Sequence, residues 1–479
     1  MLYQTPAFFL FFALFLIVYL PFKHRIPGRW ILLAASQVFY AAWDIRFLWL
    51  LWMTILCDFW IAFRVDAAIN GTVRRIYLVV SLVLNIGVLV FFKYWNLLAM
   101  PAGQVLSGDP SKFVIENLII PIGVSFYTFQ SLSYVFDVYR RVQRPILSLI
   151  DYAAFVSYFP QLVMGPICRL KQLAPQIINP QQTTVSRVIA GSFLFIVGFF
   201  RKSVGDVMGI MADSGFNQVE LRSPTEVTVS LLAFWLQVYL DFSGYTDMAR
   251  GVSRIIGIEL PINFRTPYLA TSIRDFWRRW HITLSDWLRD YVYFSLGGSR
   301  KGLRKTLFNI MIVMLLSALW HGAGINFVIF GLLHGTFLCA AYLWSHFLNP
   351  KFKKTEARPA LATITWSVFC WFLTMSCFIF SLIFFKASTP QDSMLIMEKL
   401  AIWLKEGAAM PVNLGMVILI ILLLSLEVWQ YKKPELLQFC RPFSKWQITC
   451  IGALSGLLFS SGLILFAGKT GQPFIYFQF

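Results

Sequence analysis

Charge is scarce in this chain, and nothing in it is polar for long. Only 13 % of its 479 residues are Asp, Glu, Lys or Arg, about half the share of an ordinary soluble domain. The longest polar stretches run to about 20 to 35 residues, too short to fold as a soluble domain of their own. No segment recurs at a fixed period and no low-complexity tract interrupts the chain, which excludes solenoid arrays and disordered linkers. The seven cysteines are an odd number, lie mostly in apolar sequence and form no Cys-x-x-Cys pair, so neither a disulfide framework nor a thiolate metal site is expected. Five histidines are present, none in an H-x-x-x-H pair, and no bound metal is expected.

What fills the chain instead is apolar residue, 58 % of it, with a mean hydropathy of +0.67. Apolar stretches approaching the roughly 20 residues that cross a bilayer recur throughout. They run from Phe8 to Leu20, Ile76 to Phe92, Leu118 to Phe136, Val227 to Phe242, Leu307 to Trp320, Phe327 to Trp344, Ile364 to Phe385, Leu414 to Val428 and Ile448 to Phe466. With the shorter runs between them, the pattern predicts an all-α polytopic membrane protein of about eleven membrane elements, some re-entrant or interfacial. The first segment is followed by Pro21 and the basic run Lys23, His24, Arg25 and Arg29 without a small-residue cleavage pattern, so a retained helix is expected rather than a signal peptide.

A net charge of +18 raises the question of nucleic acid, but the cations bracket apolar segments, so no nucleic-acid partner is expected. They cluster at Lys23 to Arg29, Arg74 and Arg75, Arg140 to Arg144, Arg201 and Lys202, Arg274 to Lys305, Lys351 to Lys354, and Lys432 and Lys433. The positive-inside rule makes these loops cytoplasmic. Counting crossings from them sends both termini to the face away from the cytoplasm.

The most polar interior stretch, Asn263 to Lys305, contains FWRRWHITLSDWLRDYVYFSLGGSR (Phe276 to Arg300). A helix from about Ser272 to Phe294 would align Trp277, Trp280, Leu284, Trp287, Leu288 and Tyr291 in an apolar stripe opposite Arg279, Thr283, Asp286 and Asp290. His281 lies beside that stripe. Arg278, Arg279 and Arg289 are candidates for holding an anionic cosubstrate through paired hydrogen bonds, and coenzyme A fits in having three phosphates. The glycine turn LGGSR is a weaker phosphate cradle. The plain alternative is an interfacial amphipathic helix with tryptophan anchors in the lipid.

His321 differs, because in LWHGA it ends an apolar run and precedes Gly322 and Gly324, residues that permit a broken helix. An imidazole there suits general-base work at neutral pH; the alternative is an interhelical hydrogen bond. His334 in GLLHG ranks below it. Cys168, beside Arg169, is a candidate nucleophile because a neighbouring cation lowers a thiol pKa, although a buried filler is the commoner fate of a lone cysteine. The polar residues of PIGVSFYTFQSLSYVFDVYR (Pro121 to Arg140) and LQVYLDFSGYTDMARG (Leu236 to Gly251) are expected to face the bundle interior, lining a tunnel or bonding helix to helix.

PIGVSFYTFQSLSYVFDVYR, YLDFSGYTDMARG, NFRTPYLATSIRDFWRRWHITLSDWLRDYVYFSLGGSR and LWHGA together resemble the bacterial branch of the membrane-bound O-acyltransferases, most of all its alginate-acetylating members. The likeness runs to the terminal PFIYFQF. It implies a single integral membrane domain over 1–479, funnel-shaped and thin at its centre, with a motif core at about 118–346 and C-terminal helices at about 362–479. It also implies that His321 is catalytic with His281 as the second motif histidine, that acetyl-CoA is the donor with no permanently bound cofactor, and that periplasmic acetyltransferase proteins complete delivery to a polysaccharide. Asp275, where relatives often carry Glu, and Ser317 and Ala318, in place of a frequent glycine pair, depart from the pattern. A transporter of acyl donor or glycan and a non-catalytic scaffold of an export complex are the competing readings.

Overall fold

The computed structural model describes residues 1–348, 360–407, 414–432 and 445–466. Regular structure among the described residues is helical throughout, with no strand. Among the described residues eight helices are long and apolar enough to cross a membrane: Ile45–Ala67, Gly71–Ser107, Val185–Phe216, Pro224–Ile256, Leu303–His321, Ile325–Phe347, Ala362–Lys386 and Ile448–Leu465. The chain is a multi-pass membrane protein built of helices. The basic positions 351–354 and 433, the cysteine at 440 and the terminal segment 473–479 lie outside the described residues.

Two compact units divide the chain. The first comprises Met1–Phe199, Tyr245–Pro261 and Arg441–Ser455, the second Phe200–Gly244, Ile262–Cys440 and Gly456–Phe479.

In the first unit α1 (Pro6–Tyr19) starts where the Thr5 hydroxyl accepts from the Phe8 N–H, a capping bond that satisfies an otherwise orphaned donor. Aromatic rings from α1, α2 (Ile26–Ala41) and α7 (Phe159–Leu162) interlock, Phe39 and Phe15 each meeting Phe159 at 5.5 and 5.3 Å. The expected apolar crossing from Leu118 to Phe136 is shorter than its sequence. Its helix α5 (Val124–Tyr139) begins only after Gly123, whose φ of +76° and whose would-be Cβ, 2.5 Å from the Leu162 carbonyl oxygen, leave no place for another residue. The polar residues of α5 turn inward. Gln130 donates to the Phe155 carbonyl at 2.7 Å, and Ser131 bonds the Tyr152 hydroxyl at 3.0 Å on α6 (Leu149–Val156). Of the two uses expected for this segment, helix-to-helix hydrogen bonding is the one seen. Asp58 of α3 (Leu48–Ala67) is held likewise, by Ser81 at 2.7 Å and Asn85 at 2.8 Å on α4 (Gly71–Ser107).

Helices α9 (Val185–Phe216) and α10 (Pro224–Ile256) carry the boundary between the units within their length. Here a sequence expectation fails. Arg201 and Lys202 are buried in the middle of α9 rather than in a basic loop. In the second unit Lys202 pairs with Asp206 one turn on and, at 2.8 Å, with Asp241 of α10, so the cation is tolerated because two carboxylates hold it.

The helix expected over 272–294 is broken. It runs as α11 (Ile273–Arg279), α12 (Ile282–Leu288) and a widened turn at Arg289–Tyr293, with His281 left-handed at φ +41° between the first two. The cause is the segment before it, whose backbone captures groups on both sides of the break: Arg265 N–H donates to the Arg279 carbonyl and Ile282 N–H to the Asn263 carbonyl, each at 2.9 Å. Trp280, Leu284, Trp287, Leu288 and Tyr291 of the expected stripe are buried, and so is Thr283, placed by periodicity on the polar face.

α13 (Leu303–His321) and α14 (Ile325–Leu343) form a tight hairpin joined by Gly322, Ala323 and Gly324. Small residues let their backbones approach. A Cβ on Gly331 would stand 2.8 Å from the Ala318 Cβ and 3.1 Å from the Leu315 Cα, whereas one on Gly335 would meet only the flexible Met311 side chain closely. Gly331→Val is therefore expected to cost about 1–3 kcal/mol by overpacking and Gly335→Ala distinctly less. Melting midpoints of the purified variants in detergent check this, and equal losses would contradict the packing assignment. Further helices of the second unit are α15 (Ala360–Lys386), α16 (Pro390–Glu406), opened by a capping box at Thr389, and α17 (Leu414–Lys432).

Candidate functional site

The second unit gathers the two motif histidines, 40 residues apart in sequence, around one indole. Trp320 is the penultimate residue of α13, its ring 4.8 Å from that of His321 and 5.7 Å from that of His281.

His321 closes α13 at the point where the chain leaves the helix. The next residue, Gly322, is extended, and the Phe327 ring lies where its Cβ would be, 2.3 Å away. This close ring contact explains the glycine after the histidine. The imidazole is 5 % exposed, edge-on to Phe385 of α15 at 5.0 Å and to Phe330 of α14 at 6.4 Å. Asn326 anchors the start of α14 by donating to the Ala387 carbonyl at 2.8 Å.

His281 is 1 % exposed and stands edge-on to Phe242 of α10 at 4.7 Å. Its Nδ1 lies 3.2 Å from the Asn263 Oδ1, which also accepts from the Thr283 hydroxyl at 3.0 Å and the Thr283 N–H at 3.3 Å. Its neighbour Trp280 packs among Phe264, Phe276 and Phe378. Burial pulls the His281 imidazole down to about 3, because a charge is poorly solvated there. An unfolded chain takes up this proton near pH 6.5 and the folded one refuses it until far lower, so the group's contribution to stability is lost as pH falls from about 6.5 towards 3. Melting in detergent is thus expected to be lower at pH 5 than at pH 7.5, with a shallower slope for His281→Asn. An unchanged slope in that variant would show that His281 is not the proton acceptor.

His334 is fully buried with both ring nitrogens committed. Trp277 donates to Nδ1 at 3.3 Å, and Nε2 lies 2.9 Å from the Ser381 hydroxyl, which itself donates to the Phe378 carbonyl at 2.6 Å. The chain of donors makes His334 a neutral Nε2–H tautomer tying α11 to α14 and α15, a structural bond.

Of the arginines, Arg278 is exposed and makes no ion pair among the described residues. Arg279 is paired with Asp275 at 2.9 Å and donates to Thr266 at 3.1 Å. Arg289 is held by Asp286 and Asp290 at 2.5 and 2.9 Å. Cys168 lies in the first unit, buried, and burial pushes its thiol well up despite Arg169, the opposite of what an activated thiolate requires. Among the described residues no group of three His, Cys, Asp or Glu side chains is placed to hold a metal ion.

Two features of the site were missed by sequence reasoning: Asn263, and the position of Trp320 against both histidines. The adjacency of Trp320 and His321 was a visible signal for the second; the fixing of His281 by a residue 18 positions earlier had none in the helical periodicity.

Residues 5–385 match the family described as MBOAT, membrane-bound O-acyltransferase family. A probable alginate O-acetylase of Pseudomonas aeruginosa is 40 % identical over 344 residues, covering 71 % of this chain and 65 % of its own length. The peptidoglycan O-acetyltransferase of Helicobacter pylori is 33 % identical over 83 % of this chain and 79 % of its own length. The teichoic acid D-alanyltransferase of Bacillus subtilis is 29 % identical over 50 % of this chain and 62 % of its own length. The chain thus spans about two thirds of the alginate relative.

Proposed function

The chain belongs to the membrane-bound O-acyltransferase family, and on that premise we propose that it is a membrane O-acetyltransferase serving an exported polysaccharide. The relatives' names share transfer of an acyl group to a polymer, alginate, peptidoglycan or teichoic acid. Acetyl-CoA on the cytoplasmic side of a bacterial inner membrane is the donor in this reading, with the basic loops on that side and both termini periplasmic. Alginate or a similar glycan is the final acceptor, reached with periplasmic acetyltransferase partners.

In the proposed reaction the neutral His321 takes the proton of an acceptor hydroxyl as its oxygen attacks the thioester carbonyl. The tetrahedral adduct collapses, the carbon–sulfur bond breaks, and the imidazolium returns its proton to the departing thiolate. His281 orients the reacting group. Arg278, exposed and free of an ion pair among the described residues, is the arginine best disposed to meet a coenzyme A phosphate, whereas Arg279 and Arg289 would have to share their carboxylate partners.

One observation carries the reading: the two motif histidines converge on Trp320 in buried surroundings, while His334 is used up by structure. The burial of both imidazoles keeps bulk solvent from them, which would suppress competing hydrolysis of a thioester. The test is release of coenzyme A from acetyl-CoA by the purified protein in liposomes with candidate glycans and periplasmic extract. Release that requires the acceptor supports the proposal; movement of glycan or acyl donor across the bilayer without release supports a transporter.

A further inference from the structure

We propose that Asn263 is the positioning residue of His281: its side-chain carbonyl fixes the imidazole as the Nδ1–H tautomer, leaving Nε2 as the nitrogen that accepts a hydrogen bond from the reacting groups. The part played in turnover rests on the acyl-transfer reading; the tautomer does not.

Hydrogen-bond direction carries the argument. The Asn263 side chain faces the Thr283 backbone N–H at 3.3 Å, the Thr283 hydroxyl at 3.0 Å and His281 Nδ1 at 3.2 Å through a single atom. A backbone N–H only donates, so that atom is the amide oxygen and not the nitrogen. An oxygen cannot donate to Nδ1, so Nδ1 must carry the proton. A neutral imidazole has one N–H, and its lone pair therefore sits on Nε2.

Several features hold the arrangement in place. The Asn263 carbonyl of the backbone accepts from Ile282 N–H at 2.9 Å, so main chain and side chain of one residue grip both sides of His281. His281 sits at φ +41°, a strained conformation for a non-glycine residue that persists only where its surroundings impose it. Asn263 itself is 1 % exposed, and its Nδ2 has no partner among the described residues. A buried amide nitrogen without a partner is costly, and the polar contacts that offset this cost are those of the oxygen. Phe242 of α10 and Trp320 of α13 also pack their rings against the imidazole. The low proton affinity of buried His281 agrees with a neutral ring at physiological pH.

Two readouts test this on the full-length protein in detergent or liposomes. In spectra of protein labelled with ¹⁵N-histidine, the His281 signals, assigned by their loss in His281→Asn, are expected to show the Nδ1–H tautomer at pH 7.5. Asn263→Ala is expected to convert them to a tautomer mixture and to lower kcat by about 10- to 100-fold, by analogy with the loss of the outer hydrogen-bond partner of a metal-bound histidine, with KM within about twofold. Asn263→Asp keeps the accepting oxygen, and is expected to restore both the tautomer and most of the turnover at pH 8. An Nε2–H or cationic His281 in the wild type, or a tautomer unmoved in Asn263→Ala, overturns the proposal. The expected spectra without any coenzyme A release from the wild type would instead overturn the acyl-transfer reading and leave the tautomer standing.

Discussion

His321→Ala is expected to lower coenzyme A release per folded molecule by about 10²- to 10⁴-fold, the usual contribution of a positioned general base, which corresponds to roughly 3–6 kcal/mol of barrier at 1.4 kcal/mol per decade. Two effects must be separated. The ring touches Trp320, Phe330 and Phe385, so alanine also opens a cavity and lowers stability. His321→Gln fills most of that space and lacks the base, and is expected to lose turnover as severely while melting closer to the wild type. A base used only in the chemical step leaves donor binding intact, so the loss falls on kcat and KM stays near its original value. Turnover retained by the folded glutamine variant would remove His321 from the reaction. The scaffold reading makes a different forecast: a His281 and His321 double variant would still support polysaccharide acetylation in the cell, because a scaffold needs neither imidazole.

How much of this could be read without coordinates differs from residue to residue. The membrane-spanning character of α13 to α15 was legible because their apolar runs are long and lightly charged. The α9 crossing was not among the clear stretches, since Arg201, Lys202 and Asp206 interrupt it, and a hydropathy argument cannot know that Asp241, 39 residues on from Lys202, neutralises the cation. The break at His281 was hidden for the opposite reason. Local spacing from Ser272 to Phe294 is a good helical pattern, and what ends the helix there is backbone pairing with Asn263 and Arg265, a tertiary competitor that periodicity does not register. Of the site itself, the histidines stood out by motif, whereas the roles separating His321 from His334 depend on Trp277 and Ser381 reaching the latter. The sequence shows which arginines could pair with a phosphate, but the carboxylates already holding Arg279 and Arg289 are apparent only in three dimensions.

Lys202→Met is expected to be the most damaging single change to the fold. Lys202 is 3 % exposed inside α9, and its ammonium holds Asp206 and Asp241 together. Removing one member of a buried ion cluster strands charge where solvation is poor, at a typical cost of about 3–5 kcal/mol, more than the attraction itself was worth over an apolar substitute. That asymmetry supplies the control. Lys202→Met combined with Asp206→Asn and Asp241→Asn leaves no stranded charge and is expected to recover much of the lost melting temperature, while Lys202→Met alone yields little monodisperse protein. Arginine is a poor replacement too, because the helices are close here: a Cβ on Gly205 would lie only 2.9 Å from the Asp241 nitrogen. Asp241 also precedes Phe242, whose ring walls His281, so displacement of α10 at the ion cluster reaches the site within one residue. The recovered triple variant is accordingly expected to fold but to turn over more slowly than the wild type. A triple variant no more stable than Lys202→Met would show that the cluster acts through shape and not through charge.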